Sequence, residues 1–383
     1  MAVAEVQVAI VGGGVVGVAV MHALARREVA ATLLEAEDAI GLGASATNSG
    51  ILHTGFDSSP GELETRLILR SAQLRDPVLE RLGVPVLRCG AVVTPHGEDE
   101  SRAVLALGEK ARANAVQVVE GAGGQLEVPG EAVTDPVAYT LALAAASQDA
   151  GAQVRTGARV EAIRGEADRL VLSLAGGERL SCRVAINCAG LHGDTVARLA
   201  GDDTFAVYPR KGEFFVFDPP GGLPLRQILL PVPTGRTKGV LVFPTIDGKV
   251  IAGPTAHDQE DKADWSVRPQ AGDEVMAKAR AMLPELEGAE PVASYAGLRP
   301  AGRGVNYLIG PSSACPPLIN VAAIRSTGLS ASLGIGEHVT DLVAARGIRL
   351  GPDRPLAAPE SPPPDGDGCP WWQRAARYRE RAA

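Results

Sequence analysis

The chain is poor in aromatic residues, with three Trp, five Tyr and six Phe among 383 positions. A nucleic-acid binder displays a basic face and stacking platforms. With a net charge of -8 neither is legible, so nucleic acid is not an expected partner. CxxC spacing is missing as well. The five cysteines, Cys89, Cys182, Cys188, Cys315 and Cys369, are scattered and odd in number. That argues against zinc, an iron-sulfur cluster and a secreted disulfide framework, and no metal is expected. No apolar run reaches the ~20 residues that span a bilayer. The longest, Val8 to Met21 counted with its glycines, has 14. No charged segment or cleavage site precedes Val6, so the default expectation is a soluble cytoplasmic protein.

What is present is concentrated at the start. Val6, Val8, Ile10 and Val11 form a short β-branched run that reads as a buried parallel strand. It ends at Gly12-Gly13-Gly14-Val15-Val16-Gly17, a GxGxxG spacing. Gly12 permits the tight turn, Gly14 lets the backbone approach a pyrophosphate, and Gly17 lets the following helix pack close to the strand. That helix, about Val16 to Arg27, aims free N–H groups and its positive dipole end at the phosphates. A second strand at Ala31 to Leu34 ends at Glu35, whose carboxylate suits two ribose hydroxyls and repels a 2'-phosphate. A second candidate, Gly121-Ala122-Gly123-Gly124-Gln125-Leu126, lacks the third glycine and reads as a loop. One dinucleotide is therefore expected, held by a Rossmann-like unit of the α/β class.

Gly41 to Gly55 then shows no helical period, and its small residues Ala44, Ser45, Ser49 and Gly50 leave room for a bulky ring. The segment GASATNSGILHTGFDSSPGELETRL, residues 43–67, resembles the flavin-contacting stretch of the D-amino acid oxidase-like FAD-dependent oxidoreductases. Within that superfamily the chain is most similar to the branch of FAD-dependent glycerol-3-phosphate dehydrogenases and L-2-hydroxyglutarate oxidases. The resemblance continues in order through VTDP (133–136), VAINCAG (184–190), PRKGEF (209–214), YAGLRP (295–300) and IRSTGLSAS (324–332).

The resemblance implies FAD as cofactor and an FAD-binding domain interleaved with an α+β substrate domain built on an antiparallel sheet. Residues 1–85, 133–200 and 297–350 are expected in the first, 86–132 and 201–296 in the second. Short β-rich runs holding Tyr208, Phe214, Val216, Val240, Val242, Val250 and Ile251 fit the antiparallel sheet. Asp135 to Ala150 reads as a helix ended by Gly151. Residues 351–383 begin with a proline-rich stretch, expected to lie extended on the surface. Its Trp371-Trp372 and arginines allow three readings: packing on the body, docking to a partner, or lying on a membrane surface.

The implied chemistry is oxidation of a CH–OH group, with hydride passing to flavin N5 while a base takes the hydroxyl proton. His53 is the candidate base, a residue suited to proton transfer near neutrality and placed on the family's matching His. Arg299, in the GLRP segment, and Arg325 are candidates to grip a carboxylate or phosphate. Because the overall charge is negative, local cations must draw in an anionic substrate. Lys211, Lys238 and Tyr208 are further substrate candidates. The expected cofactor contacts are Gly12, Gly14, Gly17, Glu35, Ala44, Ser45, Asn48, Ser49, Gly50, Val160, Ala189, Gly190, Gly328, Leu329 and Ser330. The last three open a helix toward Val343 whose N–H groups would face the flavin pyrimidine edge; capping by Ser326 or Thr327 is the alternative. His22 and His96 read as structural, and His192 has no assigned role. The electron acceptor stays open among oxygen, a quinone and a protein. Two rival readings also stand: amine oxidation of the glycine or sarcosine oxidase type, and a non-catalytic FAD-binding protein.

Overall fold

A computed structural model of the chain describes residues 3–166, 168–233, 239–360 and 369–382. The fold is α/β. A parallel core of five strands runs in the order Gln153–Arg155, Ala31–Leu34, Ala4–Val11, Arg179–Asn187, Leu318–Ala322. In the central pair Val8 lies opposite Val184 and Ile10 opposite Ile186. All four are fully buried, as a strand covered on both faces requires. The antiparallel strands Arg169–Leu174, Val160–Glu166 and Leu308–Pro311 extend this sheet.

The turn after the first strand has the expected form. Gly12 adopts φ +110°, and a side chain there would put Cβ 2.5 Å from the Cys188 carbonyl oxygen. At Gly17 a Cβ would stand 2.1 Å from the Gly12 carbonyl oxygen, so only glycine lets the helix Val15–Arg26 seat against the strand. The helices Leu63–Arg81, Pro136–Asp149 and Gly328–Ala345 pack with it around a single apolar cluster. Asp135 caps the second of these by accepting from Val137 N–H and Ala138 N–H at 2.8 and 2.9 Å.

A second sheet runs His257–Asp258, Val207–Phe217, Val250–Gly253, Leu241–Pro244, Ile228–Leu230, Ala91–Val93, Leu126–Val128, Val119–Glu120. It is antiparallel except where Ile228–Leu230 meets Ala91–Val93. The strand Ala293–Gly302 pairs along its whole length with Val207–Phe217, so the division anticipated at residue 297 falls inside one strand. A small third sheet joins Ile51–Leu52, Ala132–Thr134 and Val86–Leu87, and ties the flavin-loop segment to the second sheet's side of the molecule.

The C-terminal segment packs on this frame. Residues 351–354 lie along the end of the first helix, with Gly351 N–H donating to Arg27 O and Arg354 N–H to Arg26 O, and Glu360 N–H donates to Asp149 Oδ2 at the end of the helix Pro136–Asp149. The helix Trp371–Ala382 buries Trp371 and Trp372 to 1% and 4% exposure, which corrects the reading in which they insert into a membrane surface. Trp371 meets Tyr295 edge-on at 5.8 Å, and Tyr295 stacks on Phe214 at 4.8 Å. No helix among the described residues is long and apolar enough to cross a membrane.

Candidate active site

A cavity of about 1330 Å³ lies between the two large sheets. It exceeds the roughly 300–1,000 Å³ of ordinary small-molecule pockets, as a site for a dinucleotide together with a substrate must. One end is backbone. Gly12 and Gly14 line it, and the helix beginning at Val15 has no side-chain cap of its own. Ser45 reaches in from the flavin-loop segment, its Oγ accepting from Val15 N–H at 2.9 Å. Glu35 also lines the cavity, with Oε2 accepting from Gly13 N–H at 2.7 Å and Oε1 from Glu37 N–H at 3.0 Å. Those bonds fix the carboxylate and leave each oxygen a further lone pair, so this end fits the adenosine and pyrophosphate of FAD.

The cavity continues past Ala44, Ser45, Asn48 and Ser49, with Val160, Ala189 and Gly190 on the returning segment. The helix Gly328–Ala345 opens onto it through Gly328 and Leu329. Thr327 does not cap this helix; its hydroxyl bonds Glu64 Oε1 and Tyr307 OH, each at 2.7 Å. The helix N-terminus therefore faces the cavity without a side-chain cap, where it favours negative charge.

At the other end are side chains. His53 lines the cavity, and its Nδ1 lies 2.8 Å from Oε2 of Glu131, a carboxylate with no exposed surface. Oε1 of Glu131 accepts from Thr54 N–H at 2.6 Å and from the Thr54 hydroxyl at 2.8 Å. Sequence reasoning passed over Glu131. The signal that finds it is strand register. Ile51 pairs with Val133 and Leu52 with Ala132, so the next step of the antiparallel ladder sets residue 53 opposite 131.

Arg299 is half-buried on the cavity wall, with Nε donating to Arg210 O at 3.1 Å and Nη2 to Lys211 O at 3.1 Å and Thr255 O at 2.7 Å. Burial, and after it the charges of Arg210 and Arg325, lowers its pKa to about 10, so it stays cationic at neutral pH. Three of its five N–H groups are spent on carbonyls, which leaves Nη1 for an anion. Arg325 is exposed within the cavity, and among the described residues no carboxylate pairs with it.

Other expected residues fall elsewhere. Lys211 is not a substrate contact: it is 1% exposed and bonds Asp264 Oδ2 at 2.7 Å. Strand parity explains this, since Arg210, Gly212 and Phe214 face the cavity while Lys211 and Glu213 point to the opposite side. Tyr208 shares the cavity parity but lies beyond its end, in a separate cleft with the Arg303 guanidinium 4.8 Å over its ring. Gly50 and Ser330 are also off the wall. Gly50 makes a turn at φ +75° beside Thr134 O, and Ser330 Oγ accepts from His53 N–H at 2.9 Å. Gly17 serves packing alone, and Lys238 lies outside the described residues. His22 is buried in the first helix and its pKa falls to about 3, because burial disfavours its charged form. His192 does line the cavity, along with Lys262 and Trp265, which the sequence did not single out. No metal-ligating cluster occurs among the described residues.

A Rossmann-like cradle joined to a side-chain pocket of this kind defines a flavin oxidoreductase. The family model described as DAO, FAD dependent oxidoreductase, matches residues 7–342, and the chain belongs to that family. It is an FAD-dependent enzyme. Glycerol 3-phosphate oxidase of Mycoplasma pneumoniae is 28% identical over 88% of this chain and 94% of its own length. The solved structure of the L-alpha-glycerophosphate oxidase of the same organism, with FAD bound, superposes with a TM-score of 0.84 at 26% identity, covering 93% of this chain and 98% of that one. Mitochondrial L-2-hydroxyglutarate dehydrogenase of Bos taurus is 26% identical over 65% of this chain and 60% of that protein. Glycine oxidase of Geobacillus kaustophilus, at 24% identity, TM-score 0.78 and coverage of 91% and 96%, shares the fold.

Proposed function

We propose that the protein oxidises the CH–OH group of a small anionic substrate of the glycerol 3-phosphate or 2-hydroxyglutarate type. The observation that carries this reading is the His53 imidazole, on the cavity wall with Nδ1 against a buried carboxylate. Oxidising a hydroxyl requires a base for its proton, and this ring keeps Nε2 for that task. FAD, when bound, supplies the acceptor for the hydride. Arg325 and Nη1 of Arg299 bind the anionic group and thereby orient the carbon to be oxidised. The N-terminus of the helix Gly328–Ala345 favours the negative charge that accompanies reduction. In the same reading Gly12, Gly14, Glu35, Ala44, Ser45, Asn48, Ser49, Val160, Ala189, Gly190, Gly328 and Leu329 hold the cofactor. The FAD domain comprises 1–85, 133–200 and about 303–350, with the strand Ala293–Gly302 assigned whole to the substrate domain.

Anaerobic mixing of the purified holoprotein with glycerol 3-phosphate, L-2-hydroxyglutarate, sarcosine and glycine tests the reading. Hydroxy anions should bleach the flavin and amines should not. Bleaching by amines alone overturns it, and bleaching by none favours a binding protein. Re-oxidation of the bleached sample by air, by a quinone or by neither then identifies the class of electron acceptor. Replacing His53 by Ala should slow bleaching at least ~100-fold.

A further inference from the structure

We infer that Glu131 is the positioning residue for His53, holding the ring in the tautomer that carries its proton on Nδ1; this rests on the reading of His53 as the base. A carboxylate oxygen can only accept, so the 2.8 Å contact between Oε2 and Nδ1 assigns the proton to Nδ1 and the lone pair to Nε2. The other oxygen is saturated by two Thr54 donors at 2.6 and 2.8 Å, which prevents the carboxylate from rotating away.

Both partners are fixed from behind by one side chain. Arg75 is buried, its Nη1 donating to Leu52 O and His53 O at 2.9 and 3.0 Å and its Nη2 to Gly130 O at 2.6 Å. The guanidinium thus clasps the backbone on either side of the pair, beyond where the strand pairing of Ile51–Leu52 with Ala132–Thr134 ends. Ser330 Oγ holds His53 N–H from a third direction.

In the reaction the substrate O–H would break with its proton passing to Nε2 while C=O forms, and FAD, when bound, would supply the acceptor for the C–H hydride. Two electrons leave the substrate and two reach the flavin. Without the carboxylate the ring is free to rotate, or to carry its proton on Nε2, and in either state it cannot take the hydroxyl proton.

The decisive variant is Glu131→Gln, nearly isosteric. Its amide oxygen can still accept both Thr54 donors, so its NH2 group then donates to Nδ1 and drives the ring proton to Nε2. In the holoenzyme we expect flavin reduction at saturating substrate to slow ~100-fold or more, while substrate affinity stays within ~3-fold. Bound FAD and melting temperature should be close to wild type. Nitrogen NMR of the histidine rings should show His53 protonated on Nδ1 in the parent and on Nε2 in the variant. A Glu131→Gln rate near wild type, with His53→Ala slowed ~100-fold, overturns the role of Glu131 and spares the base reading. A normal rate in His53→Ala removes the base reading and this inference with it. Should Glu131→Gln fail to fold, the parent's tautomer still decides, because a proton on Nε2 overturns the inference.

Discussion

The two ends of the cavity are built from different materials. The glycine-turn end is mostly backbone drawn from the first 49 residues, with Gly12, Gly14, Glu35 and Ser45 meeting across short loops. The reactive end is side chains brought from His53, Glu131, Arg299 and Arg325, positions spread over most of the chain. A backbone cradle recognises phosphates through N–H groups that every sequence possesses, so its requirements fall on where side chains must be absent. A catalytic pair needs two particular side chains within hydrogen-bond reach, which tertiary pairing alone arranges. The first end should therefore tolerate no added atoms, and the second should tolerate substitution structurally while losing chemistry.

The largest effect is expected at Gly17. In Gly17→Ala the new Cβ would sit 2.1 Å from the Gly12 carbonyl oxygen, displacing the helix from the turn. A loss of about 3 kcal/mol or more is expected, and a preparation that purifies without flavin, read from the ratio of flavin to protein absorbance. Full flavin content in a normally melting variant would show that the cradle is more pliable than its geometry implies.

Arg325→Met probes the opposite end. With no carboxylate partner among the described residues, the arginine has little structural work to lose. Melting temperature and bound FAD should hold while substrate binding, from the Kd in anaerobic titration, weakens by about 1.5–3 kcal/mol, the worth of a charged hydrogen bond. An unchanged Kd would take the anion-binding role from it.

A smaller effect is expected at Asp264, which anchors the loop carrying the cavity residues Lys262 and Trp265. Lys211, beside it, holds the Asp264 carboxyl well below the usual carboxylate range, and Ser266 adds to this. Because the folded-state value is depressed, the pairing contributes fully above the ordinary aspartate range and is lost as pH falls through the depressed value. Asp264→Asn should cost about 1–2 kcal/mol at neutral pH, discounted for the exposure of Asp264. The variant's penalty should shrink toward acid pH in denaturant titrations. A penalty independent of pH would refute the pairing as its source.

Much of the fold was legible because its signals are local. The β-branched run to Val11, the glycine spacing, the Asp135-Pro136 helix start and the glycine opening the helix at 328 each act within a few residues. The site was legible in part. His53, Arg299 and Arg325 do reach one cavity, whereas Lys211 was misplaced by one step of strand parity and Tyr208 by the strand outrunning the cavity. Of the three readings of the tail's tryptophans, packing on the body is the one their burial matches. Nothing in residues 369–382 announces the Tyr295 ring that Trp371 meets or the Asp247 carboxylate that accepts from Trp372 Nε1.

The sequence by itself determined the dinucleotide cradle, since a turn without side chains followed by a helix N-terminus specifies its own geometry through sterics and backbone dipoles. Tertiary structure alone decided the union of His53 with Glu131 and the separation of Lys211 from the cavity. Both follow from strand register and parity, in which a shift of one residue turns a side chain to the other face, and those quantities are set by pairing between segments distant in the chain.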